Sequence, residues 1–391
     1  MVALSGSSEP LFFAGESRMS RIFPLIFLFF LIFTSCATAP EQKADEKPNQ
    51  ATPSHVESKY GILITPKNIE VFEVDSSKET KDLDKLFAEA NRLFDENKLD
   101  EAERIYTRIA EMDPKHTLAP SCRYNAGLIE IKLKNWEEAE KNFFSAYQTM
   151  QKPEDKRDAL LNWLEAARNA EFWEKISETG GKIIDNFPAY GEFNESNRRE
   201  ISLRYAEALI MTGNIEEGRR LADYWRLTIL KENPRHEAVY IPELALAYFV
   251  LGRSFVKEFS DLKLDETTET LEEKCRRIVE AQAKFLKAIN VGVIFWTNAS
   301  AFEAAKLYTD LYAEMNSHPV PDDLTDEEKS VYECELWKKI SVLLKKSRKT
   351  LMKSIEAAKK IGEENEYIDK SLEMIKEIDG IYEEKENTCR N

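Results

Sequence analysis

The sequence predicts an all-α fold, an α-solenoid of helical hairpins, and three observations carry that prediction. From about Leu83 onward, apolar residues recur at helical spacing. The pattern itself repeats: Leu99, Trp136 and Trp173 stand 37 residues apart, as do Ala102, Ala139 and Ile176. The chain also holds only 13 Gly and 14 Pro in 391 residues, too few for a turn-rich β protein.

In the first unit, Ala90 is the small residue through which one helix approaches its partner. Asn97 takes the left-handed turn, Leu99 plugs that turn, Ala102 permits close contact, Tyr106 fills the space between units, and Pro114 stops the second helix. The second unit repeats this with Ala126–Gly127, Lys134–Asn135–Trp136, Ala139, Phe143 and Ala146. The third is weaker: Leu164, Ala167, Phe172–Trp173, Ile176, Ile183 and Phe187–Pro188. The fourth has Ala206, Ala208–Leu209, the tight turn Gly213–Asn214 and a close-contact glycine, Gly218.

The fifth unit is split. Its first helix holds Leu251–Gly252 and Phe255, and its second holds Ala281, Phe285, Leu286 and Ala288. An acidic insert near Asp261 to Glu273 either lengthens these helices or makes a loop. A sixth first helix spans Ala299 to Met315. His318–Pro319–Val320–Pro321 then breaks the array. Thr325, with Glu328 three residues on, starts a capped helix. Two helices follow to Tyr382, with apolar positions Leu336, Ile340, Leu343, Leu344, Leu351, Ile355, Ile361, Ile368, Leu372, Ile375 and Ile378. Atypical terminal helices of this kind cap a solenoid.

This order of small residue, turn, small and aromatic residues, then Pro resembles the tetratricopeptide repeat (TPR). The family period is about 34, so each unit here carries about three extra residues. Ile176 departs from the family's small residue and leaves the local helix spacing open. The resemblance implies a TPR-type solenoid whose first helices line a concave groove for a protein partner. Helix phase places Phe87, Asn91, Phe94, Tyr124, Leu128, Ile131 and Arg168 toward that groove. Packing between repeats is the competing role for Phe87, Leu128 and Ile131. Asn91 and Arg168, being polar, have less reason to be buried and are the preferred contacts.

The N-terminus reads as an address. Ile22 to Phe33 is a twelve-residue apolar run, too short to span a membrane comfortably, and it suits the core of a signal peptide behind Arg21. Met19 gives a more compact start than Met1. The run ends in Phe33–Thr34–Ser35–Cys36, which resembles the lipobox of bacterial lipoproteins, although Phe33 stands where that family prefers Leu. The resemblance implies acylation of Cys36 and, with Ala37 next, residence in the outer membrane. The expected organisation is a signal peptide over 1–35, a disordered tether over 36–58, a short extended or β segment over 59–77 that is a candidate partner-binding arm, repeats over 78–315 and terminal helices over 316–391.

Composition narrows the function. A net charge of −16 argues against nucleic acid, which demands a basic surface. No HExxH, cysteine pair or His/Cys cluster suggests a metal site, and no GxSxG, P-loop or glycine-rich cradle suggests catalysis or a cofactor. Beyond Cys36, the cysteines Cys122, Cys275, Cys334 and Cys389 pair in one of three ways or stay reduced, and Cys122 reads as buried and free. The reading is a non-enzymatic, lipid-anchored envelope scaffold on the periplasmic face of the outer membrane. It is similar to the TPR lipoprotein of gliding-motility complexes in lipobox, tether and N-terminal repeats. The alternative is an outer-membrane biogenesis factor, resembling the TPR lipoprotein of the β-barrel assembly machinery. That family is shorter, and this chain departs from it in its long insert and extra C-terminal helices.

Overall fold

A computed structural model describes residues 78–185, 193–233, 240–265, 268–320 and 324–389, with side chains from residue 83. The expected signal peptide, tether and β segment lie outside these residues, as does Phe187–Pro188. The described residues contain thirteen helices and no strand. They divide into two compact units, with the boundary between His236 and Glu237.

The first unit holds α1 (Lys78–Asp95), α2 (Leu99–Met112), α3 (Ala119–Lys132), α4 (Trp136–Thr149), α5 (Pro153–Asn169), α6 (Trp173–Asp185), α7 (Glu195–Met211) and α8 (Ile215–Glu232). Each helix packs against the next in sequence, so α1/α2, α3/α4, α5/α6 and α7/α8 are antiparallel hairpins of the TPR type. One turn closes all four. Asn97, Lys134, Glu171 and Gly213 adopt positive φ values of 58°, 61°, 57° and 97°. The amide of the following residue then donates back to a carbonyl five residues earlier: Lys98 to Leu93, Asn135 to Glu130, Phe172 to Ala167 and Asn214 to Leu209, at 2.8–2.9 Å. That bond satisfies a carbonyl the helix end would otherwise leave open. The sequence shows this conformation at Asn97 and Gly213; at Lys134 and Glu171 the hairpin imposes it on ordinary residues.

First and second helices differ because they are buried differently. Along α3, ten of fourteen residues are buried, so the helix has no clear polar face. Helix α2 buries only Ala102, Tyr106, Ile109 and Ala110 and is strongly amphipathic. The acidic starts of α2, α4 and α8 also suit the positive end of the helix dipole. Gly127 lets the Phe143 ring approach to about van der Waals contact, 2.9 Å from where a Cβ would sit. In the third hairpin, Ile176 is buried, and the close approach shifts one turn along to Gly180, which lies against Tyr205.

The second unit holds α9 (Pro242–Asp261), α10 (Thr268–Val291), α11 (Ile294–Asn316), α12 (Asp326–Ile361) and α13 (Glu366–Cys389). The acidic insert does both: its ends lengthen α9 and α10, and residues 262–265 between them are not helical. Leu271, just inside it, is buried, as is Lys274, just past it; the Lys274 ammonium donates to the carbonyl of Phe259 and to Glu314, both at 2.9 Å. Thr325 and Glu328 form the expected reciprocal cap on α12. Gly362 ends that helix at φ 73°. Ile361 and Leu372, expected on the apolar face of the terminal helices, are exposed; the helix phase carries both past the packed side. Cys334 near the start of α12 is bonded to Cys389 at the end of α13. Cys122 and Cys275 are buried thiols.

Candidate functional site

Every groove residue expected from the sequence lies on α1, α3 or α5. Phe87 is 0% exposed and meets Tyr106 edge-on at 5.8 Å. Tyr124, 1% exposed, meets Phe143 edge-on at 5.5 Å, and Leu128 belongs to the same apolar cluster. These three sit in the core, where each large apolar side chain contributes about 1.5–3 kcal/mol by burial. The Tyr124 hydroxyl accepts from Asn162 Nδ2 at 3.1 Å, so even its polar tip is engaged internally. Helices α3 and α5 are each wedged between the second helix of their own hairpin and that of the preceding one, which leaves little surface for a partner.

Phe94 and Ile131 are placed differently. They stand 37 residues apart, one repeat, near the ends of α1 and α3. Both are only partly buried against the apolar cluster. The ammonium of exposed Lys132 lies 4.2 Å from the Phe94 ring centroid. Together they make a shallow apolar strip with a cationic edge. Asn91 is half-buried, and its Oδ1 accepts from the Tyr106 hydroxyl at 2.6 Å. It positions Tyr106 before it offers anything outward.

Arg168, a preferred contact from the sequence, is buried instead. Its Nη2 donates to Glu165 Oε1 at 2.7 Å. Arg204 on α7 donates to the other Glu165 oxygen at 2.9 Å, and Asn169 Nδ2 adds a bond at 3.0 Å. Glu207 stands 3.7 Å from Arg204. A buried guanidinium must be paired, and Glu165 pairs two of them. Burial by itself would raise the Glu165 pKa, but Arg168 and Arg204 outweigh it and hold the carboxyl at about 2. This charged seam has a visible pattern in the sequence. Glu165 and Arg168, like Arg204 and Glu207, are spaced i, i+3, and the two pairs sit 39 residues apart on successive first helices. Charge at matched repeat positions is the signal that would have found this seam.

Two further groups were not anticipated. Glu140 is buried between Trp163 Nε1, at 2.8 Å, and Lys175 Nζ, at 3.0 Å. Glu103 on α2 shares a hydrogen bond with buried Glu130 on α3, with Asp100 and Glu138 nearby, and its pKa rises to about 7. Among the described residues, no set of three or more His, Cys, Asp or Glu is arranged to hold a metal ion.

No protein-family model matches the sequence, and no curated protein matches it. Solved structures do. The C-terminal part of a TPR repeat-containing protein from Cytophaga hutchinsonii is 11% identical, covers 78% of this chain and 100% of that one, and has a TM-score of 0.34. A tetratricopeptide repeat protein from Parabacteroides merdae is 14% identical over 75% of this chain and 99% of that one, at 0.36. A TPR repeats protein from Bacteroides fragilis is 14% identical over 76% and 98%, at 0.25. At such scores the fold assignment rests on this chain's own hairpins: an all-α protein of the TPR solenoid type.

Proposed function

We propose that this chain is a lipid-anchored scaffold of the bacterial envelope that binds a protein partner along the Phe94–Ile131–Lys132 strip. The reading extends to a subunit of a multiprotein envelope complex, of which gliding-motility assemblies are one kind. The observation that carries it is the Cys334–Cys389 disulfide. Such bonds persist in oxidising compartments, so it agrees with the export read independently from Ile22–Phe33 and Cys36. Two acyl chains or more on Cys36 would make a stable anchor. The strip supports the binding role because it exposes an aromatic and an aliphatic side chain beside a cation, on a surface the repeats hold rigid.

The test has two parts. Labelled palmitate should enter the wild-type chain and be lost in Cys36→Ala. A photo-crosslinker placed at Ile131 or Lys132 should trap a discrete envelope protein, whereas one at Lys141 on α4 should not. Absence of label, or identical products from all three positions, would overturn the reading.

A further inference from the structure

The chain carries a net charge of −16, yet its longest described helix has a strongly basic stretch. From Lys338 to Lys353, α12 holds seven Lys or Arg and no Asp or Glu. The side chains divide by direction. Arg348, 42% exposed, reaches across to Asp379 on α13 at 2.7 Å. Lys346 lies 5.5 Å from the Tyr308 ring on α11. Lys338 pairs with Glu335 on its own helix at 2.7 Å. Lys345, Lys349 and Lys353 point outward, and none has a carboxylate within ion-pair distance among the described residues. With Lys338 and the exposed Val342 they follow i, i+4, i+7, i+11 and i+15, one straight row about 22 Å long.

We propose that this row is a docking surface for anionic lipid headgroups, and that α12 lies along a negatively charged bilayer surface. The chemistry of the row favours a membrane over other polyanions. A protein partner is gripped by anchoring residues, chiefly Trp, Tyr and Arg, set in pockets. This face offers lysines and Val342 and no Trp or Tyr anchor, and the nearby Arg348 is paired with Asp379. Flexible, strongly hydrated ammonium groups suit a mobile field of phosphates that needs no shape complementarity. Nucleic acid fits less well. The row has no exposed aromatic side chain on which bases could stack. Its helix is also bonded through Cys334 to Cys389, and such bonds persist in oxidising compartments, away from most nucleic acid. The proposal does not depend on acylation of Cys36, and its test removes that group.

The full chain carrying Cys36→Ala is floated with vesicles of phosphatidylcholine alone and with vesicles containing about 30% phosphatidylglycerol, at low and high salt. The expected result is tighter binding to the anionic vesicles, weakened by salt. Lys345→Gln, Lys349→Gln and Lys353→Gln together should lower the anionic-vesicle affinity by roughly a hundredfold, at about fivefold per lysine. A control triple of equal charge change, Lys115→Gln, Lys141→Gln and Lys231→Gln, should lower it by no more than about threefold. All six lysines are exposed, so both variants should keep the wild-type melting curve. Equal loss in the two triples, or no preference for anionic vesicles, would overturn the proposal. Binding of polyglutamate in place of vesicles would also overturn it and assign the row to an acidic protein. Failure here leaves the palmitate result at Cys36 untouched, so the two readings fall separately.

Discussion

Glu165 on α5 and Arg204 on α7 meet at 2.9 Å across 39 residues of chain, and that contact ties one hairpin to the next. Glu165 also neutralises Arg168. Removing it takes the shared counter-charge from two nearly buried guanidinium groups, with Glu207 3.7 Å from Arg204. Glu165→Gln should therefore destabilise the first unit by about 3 kcal/mol, the low end for breaking a buried pair. The low end applies because 31% of the Glu165 side chain still meets solvent. Urea unfolding followed by circular dichroism would measure it. The pH dependence has a definite sign. The folded pKa of about 2 lies below the ordinary 4.5, so this contribution is complete above pH 4.5 and disappears as pH falls toward 2.

Glu103 behaves in the opposite sense. Its hydrogen bond to Glu130, its burial and the charges of Glu130, Asp100 and Glu138 favour the protonated form and raise its pKa from 4.5 to about 7. Stability should fall as pH rises from 4.5 through 7, because ionising Glu103 sets it against Glu130 across the α2/α3 contact. Glu103→Gln keeps a hydrogen-bond donor and removes the charge. Melting temperatures across this range should slope downward for wild type and flatten in the variant, which should be the more stable above neutrality.

Gly218 tests the small-residue logic of the hairpin. A Cβ there would stand 2.4 Å from the Ala206 carbonyl oxygen and 2.7 Å from Ile210 Cγ1. The first obstacle is backbone and cannot swing aside. Gly218→Ala should cost about 1–3 kcal/mol, the usual range for overpacking, despite alanine's better helix propensity. The same change at Gly380, where nothing lies within 4 Å of a Cβ, should stabilise the protein slightly. Equal shifts in the two unfolding midpoints would refute the close-packing account.

Reducing Cys334–Cys389 opens a loop closed over 55 residues of sequence. The cost should be about 2–4 kcal/mol, chiefly from the freedom the unfolded chain regains. It should fall on the unit containing α12 and α13 alone. Hydrogen exchange with and without reductant would show faster exchange in those helices, with Glu165 and its neighbours unchanged. Cys122 gives an internal control. Burial pushes its thiol up to about 12, so alkylating reagents should reach it only on unfolding.

Much of the architecture is legible as spacing. The 37-residue recurrence of Leu99, Trp136 and Trp173 marks the first residue of α2, α4 and α6. Asn97 and Gly213 mark turns that need a left-handed residue, and Thr325 with Glu328 marks the start of α12. These features follow from rules acting within a few residues: helical period, turn conformation, capping. The candidate site is less legible. Phe87, Tyr124 and Leu128 share a helix phase with Phe94 and Ile131, and phase by itself cannot separate a partner-facing side chain from one facing the next helix.

The sequence by itself determines the helices, their hairpin turns, the small residues that let them approach and the acidic balance of the whole. Each is a property of a residue and its near neighbours in the chain. Tertiary structure decides which polar groups meet. Arg168 reads as a free surface cation until α7 brings Arg204 to the same carboxylate, and Glu130 as one more acidic residue until α2 brings Glu103 against it. It also decides that Cys334, among its possible partners, bonds to Cys389. The physical reason is common to all three. A charge or a thiol takes its meaning from what lies within a few ångströms, and helices packed side by side bring together residues tens of positions apart.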